Sequence, residues 1–457
     1  MKETCMNNAT KLGTEKISKL LMAFALPSVV SMVLNALYNM VDQIFIGQGV
    51  GYLGNAATNV IFPLTMLAVA FGLMLGDGSA SYFNLKHGEG KHEEADRGMA
   101  AGILGLVIIG LILALVYNVF LGPLCRLFGA TDATYSYCIQ YGRIISIGIF
   151  FCVFSSATMS MIRADGSPKF AMTGMIVGCA INMIFDPVTI FVWKWGVTGA
   201  TLATIAGQIA NSFINLWFLC GHTKTMKLSK ESFHHCASKI TQVARFGMSS
   251  FTTQVMIVVV VLIQNNLLVY YGALSVYGAD VPMAAFGVTM KIFNILQSAV
   301  TGMMAGAQPI LSFNYGSDRY DRALKTLKIT LCAALILTIS ATIWFQLAPM
   351  SVISIFGSND ALYNQYAMLC LRVYLSMLAM DAIQMVTSSF LQSLGKPKEA
   401  SILILIRQLV VLVPGMLIFG YFFGVEGLLY AGPVAGVVAG VLSIYDLKRE
   451  TKKLKAA

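Results

Sequence analysis

Apolar runs of 20 residues or more follow one another along nearly the whole chain, separated by short polar stretches. A bilayer crossing needs about 20 apolar residues in a helix. The pattern predicts helices over 20–46, 55–84, 98–121, 137–163, 170–193, 197–221, 241–271, 283–314, 323–348, 364–392, 399–422 and 426–446. That is an all-α integral membrane protein with twelve transmembrane helices. Several runs exceed the thickness of the hydrocarbon layer, so those helices tilt or project into water.

Composition points the same way. Of 457 residues, 57% are hydrophobic and 11% charged, against about 25% charged in soluble domains. A soluble enzyme, a nucleic-acid binder and a disordered chain are excluded. The net charge of +10 is no nucleic-acid signal, because the basic residues occupy short loops. The amino terminus, the loops after the even-numbered spans and the carboxyl terminus, with their edges, hold 25 Lys and Arg, and the opposite loops hold only Arg126 and Lys194. By the positive-inside rule both termini are expected in the cytoplasm, in a multi-pass protein of the inner or plasma membrane. Met1 to Lys16 is polar and has no apolar run ending in a cleavage site, so no signal peptide is expected. The nine Cys show no metal-binding spacing, and Cys125 and Cys138 flank one loop without a spacing that marks a pair.

The chain repeats itself. At a shift of 228 residues, Gly88-Glu-Gly-Lys-His-Glu-Glu-Ala95 meets Gly316-Ser-Asp-Arg-Tyr-Asp-Arg-Ala323, Gly129-Ala-Thr-Asp-Ala-Thr-Tyr135 meets Gly357-Ser-Asn-Asp-Ala-Leu-Tyr363, and Gly196-Val-Thr-Gly199 meets Gly424-Val-Glu-Gly427. At 229, Gly166-Ser-Pro-Lys169 meets Gly395-Lys-Pro-Lys398. Four anchors in order at one offset mark a duplication. Each unit holds six helices, an even number, so the units run in the same sense and form a parallel repeat. The expected organisation is a six-helix lobe over 1–221, a cytoplasmic connecting loop over 222–240 and a six-helix lobe over 241–457. A cavity between two such lobes is the expected substrate site.

Ionisable residues inside a span are costly and mark function by default. Four acids lie within the runs: Asp42, Asp77, Asp186 and Asp381. Helix direction and a rise of about 1.5 Å per residue put Asp42, Asn182, Asp186 and Thr204 at one depth, in the outer part of the first lobe. Their facing agrees. Asn35, Asn39 and Asp42 recur at three or four residues on helix 1, Asn182 and Asp186 lie four apart on helix 5, and Thr201, Thr204 and Gln208 form a stripe on helix 6. Hydrogen bonding between helices is the alternative role for such stripes. Pro27 interrupts the backbone hydrogen bonds of helix 1 and marks a point where it can kink. Asp77 reads as an inner-gate or packing residue. Asp381 sits mid-membrane, where Lys291 or Arg407 could neutralise it, and Gln254 adds a polar group in helix 7. Gln254, Lys291, Asp381 and Arg407 are thus the second lobe's candidates for substrate or ion contacts.

The chain resembles the multidrug and toxic compound extrusion (MATE) transporters of the bacterial branch. The resemblance rests on Phe24-Ala-Leu-Pro27, Val41-Asp-Gln-Ile-Phe-Ile-Gly47, Asn182-Met-Ile-Phe-Asp-Pro187, Gly196-Val-Thr-Gly-Ala-Thr-Leu-Ala-Thr204 and Gln308-Pro-Ile-Leu-Ser-Phe-Asn-Tyr-Gly316. It implies a secondary active multidrug exporter that exchanges Na+ or H+ for drug, by alternating access between two lobes. It implies a cation-coupling site on Asp42, Asn182, Asp186 and Thr204. It implies no cofactor beyond the coupling ion, Na+ or H+, and no metal beyond Na+. The expected partners are small organic molecules, cationic or amphipathic, and membrane lipid; no nucleic-acid partner is expected, and the chain is expected as a monomer. The 26 Met and 27 Phe suit a pocket that adapts to many ligands. A rival reading is a flippase for a lipid-linked precursor, which wants a basic central cavity; Arg143, Lys291, Arg372 and Arg407 are its candidates. A membrane-embedded enzyme is the remote alternative. It lacks a histidine base inside the bilayer, because His87, His92, His222, His234 and His235 all fall in loops or at their edges.

Overall fold

The computed structural model describes residues 12–49, 52–130, 132–234, 236–278, 280–356 and 361–456. Gly51, His235 and the 357–360 part of the second repeat anchor lie outside them. The described residues are almost entirely helical and contain no strand. The first six membrane helices are α1 (Ile17–Gly49), α2 (Tyr52–Gly88), α3 (His92–Leu127), α4 (Asp132–Ala164), α5 (Pro168–Pro187, prolonged by a wide turn over Val188–Val192) and α6 (Gly196–Gly221). The second six are α7 (Met248–Ala273), α8 (Asp280–Gly316), α9 (Tyr320–Leu347), α10 (Ala361–Ser393 with a break), α11 (397–423) and α12 (425–456).

Among the described residues, ten helices are long and apolar enough to cross a bilayer. A pair bent by 48°, Ala361–Tyr374 with Leu378–Ser393, makes one more crossing. The longest helix, Pro397–Ala456, divides at Gly424, whose φ of 64° is left-handed, a conformation open to glycine without a Cβ clash. With that division the crossings among the described residues number twelve. Pro168 and Pro397 occupy the first turns of α5 and α11, where a missing N–H breaks no helical bond. The seventh span starts later than the hydropathy implied. Ala237–Phe246 forms its own amphipathic helix, and α7 begins after Gly247.

The duplication is visible in the backbone. Left-handed residues recur at matching repeat positions: Gly90 with Asp318, Gly166 with Gly395, and Gly196 with Gly424. The same turns join the same helices in both halves.

Packing departs from a simple division into two sets of six. Leu12, Ile17, Leu20, Leu21 and Phe24 are buried with Val300, Met304, Ile310 and Leu327 of the second lobe. Farther along α1, Ile46 packs with Ile190 and Ala200 of the first lobe. Helix α1 therefore crosses from one lobe to the other along its length. The contact with α8 is close: a Cβ on Gly302 would lie 2.5 Å from the Val29 Cα, and Gly306 abuts Ala25. Pro27 sits between these two contacts. The helix runs through it unbroken, and Ser31 Oγ donates to the Pro27 carbonyl at 2.8 Å. Leu454 shares the cluster of Leu12 and Ile17, so the first and last described helices meet at one end of the bundle.

That end is where the lobes meet. Gln308 Nε2 donates to Ser81 Oγ at 2.6 Å, Ser250 Oγ donates to Asp77 Oδ2 at 2.7 Å, and Arg322 donates to the carbonyl of Glu15 at 2.6 Å. Tyr82 meets Phe246 edge-on, with ring centroids 5.4 Å apart. The connecting loop is pinned to the first lobe: Asp165 accepts from the N–H groups of Lys224, Thr225 and Met226 at 2.7–2.9 Å. Cys125 and Cys138 are separate, buried thiols.

Candidate functional site

Helices α5 and α6 approach closely because glycine lines their contact. A Cβ on Gly178 would lie 2.9 Å from the Gly207 carbonyl oxygen, and one on Gly174 would lie 2.7 Å from Asn211 Oδ1. The approach brings Asn182, one turn beyond Gly178, against Thr204. Oriented to satisfy both of its ends, the Asn182 amide nitrogen donates to Asp186 Oδ2 at 2.8 Å, and its oxygen accepts from Thr204 Oγ1 at 3.2 Å and Thr204 N at 3.1 Å. Asn182 and Asp186 are fully buried.

Helix α1 supplies the remaining group. The carboxyl of Asp42 lies beside that of Asp186. Both acids keep one buried oxygen, Oδ1 in each case, without a partner. Neither acid forms an ion pair with a Lys, Arg or His among the described residues; the intramembrane ion pair lies elsewhere, between Arg407 and Asp381. Two carboxyls in contact in low dielectric cannot both stay ionised without a proton or a cation. The four residues expected from the sequence therefore form one constellation. Its hard oxygen donors fit a proton or a small hard cation, and the described residues hold no cluster of three or more His, Cys, Asp or Glu that would suit a transition metal.

The flanking stripe divides. Thr201 is buried and donates to the Val197 carbonyl of its own helix at 2.7 Å. The exposed Asn39 donates to the Asn35 carbonyl at 2.6 Å. Gln208 is half-buried. Thr201 and Asn39 thus each bond within their own helix. Two side chains that sequence reasoning missed do lie beside it. Tyr38 and Tyr141 both stand close enough to feel the charge of Asp42 and Asp186. Tyr38 was detectable, four residues before Asp42 on the same face. Tyr141 was not, because the rotation of α4 about its axis leaves no mark in its sequence.

In the second lobe the structure selects one partner for Asp381. Arg407 Nη2 lies 2.8 Å from Asp381 Oδ1, and both side chains are largely buried. A wide turn over Ile406–Leu412 carries Arg407, and Gly436 leaves room for the acid, since a Cβ there would lie 3.0 Å from Asp381 Oδ1. Lys291 is half-buried on α8 and is not part of the pair. Gln254 points across the lobe boundary, 3.9 Å from the Met66 sulfur. Of the four second-lobe candidates, the structure thus joins Asp381 and Arg407.

Asp77 lies at the lobe boundary. Ser160 Oγ donates to its Oδ1 at 2.5 Å, Arg163 donates to Ser160 Oγ at 2.7 Å, and Ser250 of α7 holds the other oxygen. One carboxylate thus joins α2, α4 and α7.

The model of the MatE family matches residues 27–188 and 251–417, one stretch in each lobe. The chain belongs to the MatE family. It is thereby a membrane transporter and not an enzyme. Among its relatives is the multidrug export protein MepA of Staphylococcus haemolyticus strain JCSC1435, 24% identical over 450 residues that cover 96% of each chain. A solved structure described as the outward-facing conformation of a multidrug resistance MATE family transporter superposes with a TM-score of 0.89 at 22% identity, covering 98% of each chain. A second, from Pyrococcus furiosus Vc1, superposes with a TM-score of 0.88 at 22% identity, covering 97% of this chain and 98% of that one. That protein is described as having a binding pocket of reverse polarity, which suggests a different function for it. At these identities the solved structures establish the fold.

Proposed function

We propose that this MatE protein is a secondary active multidrug exporter in which a cation moving inward at Asp42 and Asp186 drives an organic, cationic or amphipathic substrate outward. The observation that carries the reading is the contact between those two acids, with an unpartnered buried oxygen on each. The MepA relatives, matched end to end, supply the substrate class. Two adjacent carboxyls can share a proton or jointly ligate Na+, so the pair fits either coupling ion. The pair then titrates as a unit, and Asn182 holds Asp186 in place through either state.

Both termini are proposed to lie in the cytoplasm, from the distribution of Lys and Arg. In that orientation the lobes touch at the cytoplasmic end, and the acid pair sits toward the outer side, as an outward-facing state requires. Rocking of the lobes would close the outer opening and expose the pair to the other side. The flippase reading is weaker, because Asp381 neutralises Arg407, one of the four bases on which it relies.

The test is Asp42→Asn and Asp186→Asn in proteoliposomes, each assayed for drug binding and for drug transport under an imposed pH or Na+ gradient. We expect gradient-driven transport to be lost in both while drug still binds. Wild-type transport in both variants overturns the coupling role. Transport driven by the Na+ gradient alone assigns Na+ to the site.

A further inference from the structure

At the end of the second lobe away from the termini, the structure contains a cavity of about 420 Å³ between the end of α7, the segment that follows it and the turn from α11 to α12. Tyr271, Tyr277, Tyr421 and Phe423 line it together with Glu426. Gly420 makes room for one wall: a Cβ there would lie 2.7 Å from the Tyr271 ring. The left-handed Gly424 turns the chain so that Phe423 and Glu426 border the same space. The carboxylate is positioned, since Tyr277 Oη donates to Glu426 Oε1 at 3.1 Å. No Lys, Arg or His among the described residues forms an ion pair with it; the acids with basic partners are others, such as Glu450 with Lys453.

We infer that this aromatic box with its carboxylate is a peripheral binding site for a quaternary-ammonium or similar lipophilic cation. Aromatic faces attract a cation through the ring quadrupole, and most strongly one that sheds water easily. The carboxylate supplies the opposite charge.

The internal repeat separates this site from an ordinary belt of interfacial aromatics. The first lobe places Trp193 and Trp195 where the second has Tyr421 and Phe423, so both lobes carry the belt. At the position of Glu426 the first lobe has Thr198, and at those of Tyr271 and Tyr277 it has Gln43 and Gly49. The carboxylate and two of the box walls are therefore particular to the second lobe. The cation can reach this box from free solution or as the choline headgroup of a lipid. The site stands apart from Asp42 and Asp186, and loss of coupling there leaves it unchanged.

The test uses the whole protein in phosphatidylglycerol nanodiscs and a photoreactive aryl-azide quaternary ammonium, with adducts mapped by mass spectrometry. We expect saturable labelling on Tyr271, Tyr277 or Tyr421, displaced by tetraphenylphosphonium and not by tetraphenylborate, which has the same shape and the opposite charge. Glu426→Gln should weaken labelling by about tenfold, the low end of the range measured for a close pair of opposite charges, and Glu426→Asp should retain most of it. Suppression of labelling by phosphatidylcholine in the disc upholds the site and makes the headgroup its occupant; labelling undiminished in phosphatidylcholine makes it a site for free cations. Equal labelling of wild type and Glu426→Gln, or equal displacement by the borate, overturns the proposal and leaves an interfacial belt.

Discussion

Gly178 of α5 and Gly207 of α6 lie backbone to backbone, so that a Cβ on Gly178 would reach within 2.9 Å of the Gly207 carbonyl oxygen. This contact sets the distance between the helices that carry Asn182 and Thr204. Gly178→Val should push them apart, at a cost of about 1–3 kcal/mol in stability. Its signature is a lowered Tm in detergent together with weakened cation-driven transport. A variant with unchanged Tm and transport would show that the α5–α6 approach does not shape the site.

The buried pair of Asp381 and Arg407 makes a prediction of the opposite kind. Asp381→Asn leaves an unpaired buried guanidinium, which costs about 3–5 kcal/mol. We expect lower thermal stability and an altered substrate range, with cation-driven exchange still present. Asp381→Asn combined with Arg407→Gln should recover much of the stability, because neither charge then lacks a partner. Loss of exchange for every substrate, in a variant that folds normally, would move the coupling to the second lobe.

Ser81 and Gln308 join the lobes across a 2.6 Å hydrogen bond. Cysteines at these two positions should cross-link under a short bifunctional reagent and stop transport, and cleavage of the linker should restore it. Transport at the normal rate while cross-linked would exclude a separation of the lobes at this end.

Topology can be read by labelling single cysteines in intact cells. A cysteine at Gly278 should react with an impermeant reagent from outside, and cysteines at Gly90, Lys230 and Asp318 should not. Labelling at position 230 would reverse the assigned orientation.

The sequence by itself determined the twelve crossings, their duplication and the membership of the first-lobe site. Span length and helical spacing are local, so hydropathy finds the helices and the three- and four-residue intervals find the faces of Asp42, Asn182, Asp186 and Thr204. The repeat anchors carry left-handed turns, and such turns need particular residues, which is why they remain legible in the sequence.

Tertiary structure decided what depends on how helices rotate and approach one another. It placed Tyr141 beside the acids, chose Arg407 over Lys291 as the partner of Asp381, and left Thr201 and Asn39 bonded to their own helices. It packed the first half of α1 into the second lobe, which no count of spans reveals. It also gathered Tyr271, Tyr277 and Glu426, from segments about 150 residues apart, around one cavity. The physical reason is common to all of these. A side chain's partner is set by close packing between helices, through glycine contacts such as Gly178 with Gly207 and Gly302 with Val29, and that packing is a property of pairs of helices that neither sequence contains alone.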